Sequence, residues 1–545
     1  MAAFIREKAA LMPNKRAVIV PVGRDSSNRV SYSWFTFKQL DEETDCYARG
    51  LHKIGIRRGT RTVLMLKPGI DFFALTFALF KIGAVVVFVD PGIGIANLKK
   101  CLAEAEPEAF IGITKAHVAR TIFRWAAGSL KIFVTHGPKL FWGGYSLSEL
   151  RVPGNVPIEV ELFPPDEMGA IFFTSGSTGI SKGAVYTHGI LTSQVRFIQE
   201  TYNFTPEDVD LATFPLFALF DVCLGMTSVI PDMDATKPAQ ADPVKLIEAI
   251  EDNGATVMFG SPALVNTLSR WCAEKNKFLG GIKKVISCGA PARNDVLERF
   301  HKSLSNEAEI FTPYGATEAL PVSSVGSREI LGETRKITSE GGGTCVGFPN
   351  PNVTVRIIRI TDDPVEKWDE SMVLKAHQIG EITVKGPIVT REYFRRPDST
   401  KLAKILDSDG KSVWHRMGDL GYLDEKGRLW FCGRKSHRVS AESGDMFTIP
   451  CEAVFNNHKE VFRTALVGIG EKGRQVPVIC VELEKNLVNV DFNKIKTHLQ
   501  EIALKYEHTK TIKTFLLHDS FPVDVRHNAK INREKLALWS TEKLQ

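Results

Sequence analysis

The sequence has no CxxC pair, no run of five basic residues and no unbroken apolar stretch of membrane-spanning length. Each absence removes a class of protein. Nine cysteines, an odd number scattered from Cys46 to Cys480, make no disulfide framework. They fit a reducing compartment, where most serve as small buried hydrophobes. Lysine and arginine (69) barely outnumber aspartate and glutamate (63), and the net charge of +6 is spread along the chain, so nothing points to a nucleic-acid partner. The longest apolar stretch, residues 72–89, is interrupted by Lys81 and Gly83. The part before the break reads as a buried helix and the part after it as a buried strand stopped at Pro91, not as a stable membrane span, which needs about 20 apolar residues. Met1 to Arg6 contain no apolar segment of the secretory type.

What is present is an ordinary globular composition, 43% hydrophobic and 24% charged, in a chain long enough for several cores. Up to about residue 340 the pattern alternates between apolar strands (62–66, 84–89, 109–113, 132–134, 170–173, 256–259, 284–287) and helix-length segments such as 37–54 and 243–253. That alternation predicts an α/β architecture with covered, largely parallel sheets. After Gly341-Gly342-Gly343 the texture becomes β-rich (353–360, 380–384, 428–431), and 433–438 is polar and basic enough for a linker. A small α+β unit is expected beyond it. The predicted division is a large domain over 1–432, in subdomains of about 1–165, 166–340 and 341–432 with the last β-barrel-like, hinged to a mobile domain over 433–545.

The chemistry gathers at residues 174–183. A buried strand, 170–173, runs into a loop with five hydroxyl side chains, three glycines and one lysine. Glycines let the backbone approach a ligand, consecutive N–H groups form an anion-binding concavity, and hydroxyls and Lys182 complete a phosphate cradle. The spacing is neither GxxxxGK[ST] nor GxGxxG, which excludes a P-loop kinase or GTPase and a nicotinamide enzyme.

Five motifs stand in order: TSGSTGISKG at 174–183, YGATE at 314–318, GD at 418–419, GR at 433–434 and a late lysine, Lys530, in FPVDVRHNAKI. In this the chain resembles the AMP-forming acyl-adenylating superfamily, which includes acyl-CoA synthetases, luciferases and peptide adenylation domains. The resemblance implies ATP and Mg²⁺ as cofactors. Thr174, Ser175, Gly176, Ser177, Thr178, Gly179 and Lys182 would hold the β- and γ-phosphates, and Gly289, Ala290 and Pro291 would line the adenine and acyl pockets. Tyr314, with Gly315 and Ala316, would stack on adenine. Thr317 would sit near the phosphates, and Glu318 would be the metal ligand. Asp419 would take the ribose hydroxyls and Arg434 would reach the nucleotide. Lys530, Glu318, Lys182 and Thr178 would be catalytic, acting through charge stabilisation and not through a protein nucleophile. Phe217 and Ala218, with Gly289, would shape the acyl pocket, and Ser436 would be the hinge.

Three departures narrow the resemblance. Ala218 stands where many acyl-CoA synthetases carry histidine. Ser436, followed by His437, stands at a hinge that is usually aspartate or lysine. The loop 440–452 lacks its usual basic residue and is longer on both sides of Gly444. The strings FPLFALFD, CGRKSHRV and FPVDVRHNAKI are similar to those of the β-lactone synthetases of bacterial long-chain olefin biosynthesis. That branch implies adenylation of a long-chain 2-alkyl-3-hydroxy acid and displacement of AMP by the acid's own hydroxyl. It also implies a cytoplasmic enzyme brought against lipid by its substrate, and open to assembly with other olefin-pathway enzymes. CoA is a substrate only under the alternative, a medium- or long-chain fatty-acid-CoA ligase. A non-catalytic nucleotide- or acyl-binding homologue is the reading from a different class.

Overall fold

The computed structural model describes residues 1–173, 181–485, 487, 490–523 and 531–545. Its α/β framework follows from strand burial. The all-apolar strand Val85–Phe88 is buried along its length and pairs in parallel with Arg61–Met65 and Met168–Phe173. Ala109–Ile113, Ile132–His136 and Tyr145–Ser146 extend this sheet in parallel on one side, and Gly183–Thr187 closes the other antiparallel. The apolar stretch 72–89 divides as its break predicts, into the helix Ile70–Lys81 and the strand. Lys81, the residue that breaks it, ends in a buried polar cluster. Its Nζ donates to Asp45 Oδ1 and Thr44 Oγ1 at 2.6 Å and to Asp41 Oδ1 at 2.9 Å. Asp41, Thr44 and Asp45 ride on the helix Phe37–Lys53. Thr36 caps that helix by accepting from the Gln39 N–H, while Gln39 Oε1 accepts from the Thr36 N–H.

A second sheet contains the parallel run Val209–Ala212, Val257–Gly260, Lys284–Ser287 and Glu309–Ala316. Glu309–Ala316 pairs antiparallel with Ala319–Gly326. The β-rich unit after residue 340 is not detached from this sheet. Thr344–Pro349 joins Ala319–Gly326 at Ser323 and Ser324, and Leu429–Arg434, Val413–Leu423, Gly380–Lys385 and Thr354–Ile358 continue outward. The expected linker is ordered: 433–434 end a strand and Lys435–His437 form one turn of 3₁₀ helix. Beyond it, the sheet of Val461–Ile469, Val476–Leu483 and Thr514–Leu517 packs with helices Phe492–Leu504 and Arg533–Leu544. It has its own apolar core, centred on Phe455, Leu466, Ile479 and Phe515.

Seven of the nine cysteines are buried, as small apolar side chains would be. Among the described residues, no helix is long and apolar enough to cross a membrane.

Candidate functional site

In parallel sheets, ligand-binding loops collect at the carboxyl ends of strands, and the site residues follow that rule. Gly289, Ala290 and Pro291 follow Lys284–Ser287. Gly289 sits at φ +102°, a backbone conformation that disfavours a side chain, and is solvent-facing. Tyr314, Gly315 and Ala316 finish the next strand, and Thr317 and Glu318 make the tight turn into Ala319–Gly326. Two long-range hydrogen bonds hold that turn: Tyr186 Oη donates to the Thr317 carbonyl at 2.5 Å and the Thr390 N–H to the Glu318 carbonyl at 2.9 Å.

Tyr314, Asp419 and Arg434 meet although far apart in sequence. Asp419 and Arg434 face each other across neighbouring antiparallel strands. Tyr314 Oη donates to Asp419 Oδ2 at 2.8 Å, and Arg434 Nε lies 3.1 Å from Oδ1. That second approach is close but out of line for a hydrogen bond, and Oδ1 has no hydrogen-bond partner among the described residues. Burial pushes the Asp419 carboxyl up, against the pull of Arg434 and the Tyr314 hydroxyl. A buried carboxylate with open acceptor capacity, braced by a cation, suits a ligand that donates hydroxyls. The Tyr314 ring lies 6.0 Å from that of Phe431 and is held from both ends.

A second cluster surrounds Glu318. Tyr393 Oη donates to Glu318 Oε1 at 2.5 Å, and Lys182 Nζ sits 5.0 Å from the centre of the Tyr393 ring. Lys404, buried beneath, donates to the Thr390 carbonyl and, at 3.1 Å, to its hydroxyl. Burial lowers Lys404 to about 7, although Glu318 opposes the shift. Burial, then Lys404, keeps nearby His415 well below its usual range. Neither Tyr393 nor Lys404 stands out in the sequence, because each acquires its role only through contacts across the sheet. Among the described residues no group of three or more His, Cys, Asp or Glu gathers to hold a metal. Glu318 is a single hard-oxygen donor, as suits Mg²⁺ bound by one carboxylate plus substrate phosphates.

Phe217 and Ala218 lie on the helix Pro215–Leu224, started by Pro215 and ended at Gly225 with φ +81°. Phe217 stacks on Phe259 at 4.2 Å and lines a largely apolar cavity of about 40 Å³. Ala218 is fully buried in the surrounding core. The cavity wall also carries Asp210 and Asp221. Sequence reasoning passed over both, though a charge in the strand VDLA and another in PLFALFDVCL were visible signals.

Ser436 lies in the turn Lys435–His437. Lys435 Nζ is 3.0 Å from Glu381 Oε1, and Arg438 and Lys472 both pair with Asp362, holding its carboxyl well below the usual range. The lengthened loop folds as a hairpin of Val439–Ala441 and Gly444–Met446 before the helix Thr448–Phe455. Glu452 accepts from the Leu466 N–H at 2.7 Å and pairs with Arg533 at 2.6 Å. Thr174, Ser175, Gly176, Ser177, Thr178, Gly179 and Lys530 lie outside the described residues.

Residues 5–394 match the family model described as AMP-binding enzyme. The chain belongs to the AMP-binding enzyme family. Two relatives match along the full length. The olefin beta-lactone synthetase of Xanthomonas campestris pv. campestris is 46% identical over 99% of this chain and 97% of its own. That of Stenotrophomonas maltophilia is 47% identical over 100% and 98%. Among solved structures, the amide bond synthetase McbA from Marinactinospora thermotolerans has the same fold, with a TM-score of 0.79 at 21% identity and 99% coverage of both chains.

Proposed function

We propose that this AMP-binding enzyme adenylates a long-chain 2-alkyl-3-hydroxy acid with ATP, and that the acid's own 3-hydroxyl then displaces AMP to close a β-lactone. The observation that carries this reading is the full-length likeness to the two olefin beta-lactone synthetases. The acid's carboxylate attacks the α-phosphorus and pyrophosphate leaves. The 3-hydroxyl oxygen then bonds to the acyl carbon, its proton passes to solvent, and the acyl–phosphate bond breaks to release AMP.

The chain's residues divide this work. Asp419 accepts the ribose hydroxyls through the oxygen left open beside Arg434, and Tyr314 packs against adenine. Gly289, Ala290 and Pro291 border both pockets. Lys182 and the hydroxyls of 174–178 hold the outer phosphates, and Glu318 is the protein's ligand for Mg²⁺. A bound Mg²⁺ ion neutralises charge on the phosphate oxygens. Lys530 stabilises the charge that develops in the adenylation step. The C-terminal unit, 433–545, turns on Ser436 relative to 1–432. Its separate core and the short turn at the junction support that division.

The test uses purified protein, ATP and Mg²⁺ with a long-chain 3-hydroxy acid and its matched plain acid, each with and without CoA. AMP, pyrophosphate and lactone should form from the hydroxy acid without CoA. AMP release that depends on CoA with both acids would overturn the lactone reading in favour of an acyl-CoA ligase.

A further inference from the structure

The cavity beside Phe217 is walled by Tyr202, Phe220, Phe259 and Leu320, and two carboxyls interrupt this apolar lining. Asp210 is 2% exposed and Asp221 7%. They belong to different elements, the strand Val209–Ala212 and the helix Pro215–Leu224, yet their carboxyls come within hydrogen-bond reach of each other. Ser228 Oγ donates to Asp221 Oδ2 at 3.0 Å. Asp210 Oδ1 has no hydrogen-bond partner among the described residues.

Two carboxylates this close and this buried cannot both ionise. Burial raises both, Asp210 to about 7; Asp210 pushes Asp221 further up, while the hydrogen bond with Asp221 pulls Asp210 down. At least one carboxyl of the pair therefore stays protonated through the neutral range. Packing does not require it, since apolar side chains would fill the space without the desolvation penalty. What the pair adds is one donor and one acceptor at the same point. A hydroxyl group matches that combination, because it accepts one hydrogen bond and donates another. A hydrocarbon placed there would leave Asp210 Oδ1 without a partner. The cavity also reaches the adenylate end of the site: Ile286 and Pro313 line it, and they lead directly to Ser287–Gly289 and Tyr314.

We propose that Asp210 and Asp221 form a hydroxyl-recognition subsite at the wall of the acyl pocket, which selects a hydroxylated acid over the same acid without the hydroxyl. The inference rests on the hydroxy-acid reading above and adds the residues that would enforce it.

The test reads the adenylation half-reaction alone, by pyrophosphate exchange into ATP, with a 3-hydroxy acid and its deoxy twin of equal chain lengths. The wild-type enzyme should favour the hydroxy acid in kcat/KM by about ten- to hundredfold, the usual consequence of leaving buried polar groups unpaired. Asp210→Leu and Asp221→Leu, which keep the volume but remove the polar pair, should bring that ratio close to unity. A wild-type enzyme without preference, or folded variants that keep the wild-type ratio, would overturn the proposal. A measurement on the wild type needs no variant. The infrared band of the protonated carboxyl should shift when the hydroxy acid binds and stay fixed with the deoxy acid; identical spectra would equally overturn the subsite. Failure of the lactone to form from the hydroxyacyl adenylate counts against the proposed product and leaves the ratio intact. A flat ratio with lactone still forming counts against the acid pair alone.

Discussion

Replacing Tyr393 with phenylalanine isolates one hydrogen bond. The ring stays, and with it the packing under Lys182 Nζ at 5.0 Å; what goes is the hydroxyl that donates to Glu318 Oε1 at 2.5 Å. Tyr393 is 5% exposed, so water does not readily replace the lost donor. A hydrogen bond to a charged group contributes about 1.5–3 kcal/mol, which corresponds to about a ten- to hundredfold change. The same range is typical when the partner of a metal-binding carboxylate is removed. Tyr393→Phe should therefore lower kcat/KM for MgATP by about that factor and raise the Mg²⁺ concentration needed for half-maximal pyrophosphate exchange. The acid's KM should move little, because Tyr393 lies outside the residues that line the cavity beside Phe217, the proposed acyl site. The assay is exchange at saturating acid over a Mg²⁺ titration, with a thermal melt to establish folding. A folded variant with the wild-type Mg²⁺ midpoint and wild-type kcat/KM would refute both the positioning role of Tyr393 and the assignment of Glu318 as metal ligand.

Lys530→Ala should abolish pyrophosphate exchange while ATP still binds by calorimetry, and undiminished exchange would remove Lys530 from the adenylation step. Glu381→Gln should destabilise the fold by about 3–5 kcal/mol in urea, because Glu381 answers two cations, Arg416 at 2.6 Å and Lys435 at 3.0 Å, from a fully buried position. A loss below about 1 kcal/mol, the scale of a surface pair, would contradict the burial argument. The acid pair also fixes a pH dependence. Asp210 is raised from 3.8 to about 7 in the folded chain, so between those values the folded state keeps a proton that the unfolded state has lost. Stability from this group is intact below the unfolded value and falls as pH rises toward 7. Melting profiles should show Asp210→Asn gaining on the wild type as pH rises from 4 to 8, and a pH-independent difference would contradict the raised Asp210 carboxyl.

Where local signals agree, the sequence carried the fold. The helix Pro243–Asn253 is legible residue by residue. Asp242 accepts from the Val244 N–H, proline opens the helix and Gly254 closes it at φ +64°. The strands 109–113 and 284–287 stand where apolar runs place them. The candidate site was legible as an ordered set of motifs but not as an arrangement. Tyr314 and Asp419 are 105 residues apart, and Tyr393 lies 75 residues from Glu318. Such contacts depend on sheet register, which no local spacing encodes. The β-rich unit reads as a separate module because its strands are short and rich in turns, yet the pairing of Ser323 with Pro349 carries it on from the central sheet.

The loop departures take on a different weight in three dimensions. The extra length around Gly444 is absorbed by a hairpin, and Glu452, the last residue of the loop signature, remains tied to Arg533 and the Leu466 amide. Arg533 opens the final helix, three residues after Lys530. The altered loop thus keeps its tie to the final helix through Glu452 and Arg533. A changed turn does not by itself choose what displaces AMP. An acyl carbon flanked by a held hydroxyl needs no second substrate, because the nucleophile is already within the same molecule and its effective concentration far exceeds that of a diffusing thiol. Selectivity for the acceptor then lies where the hydroxyl is recognised. Under the proposal above, that place is the Asp210–Asp221 wall of the cavity beside Phe217.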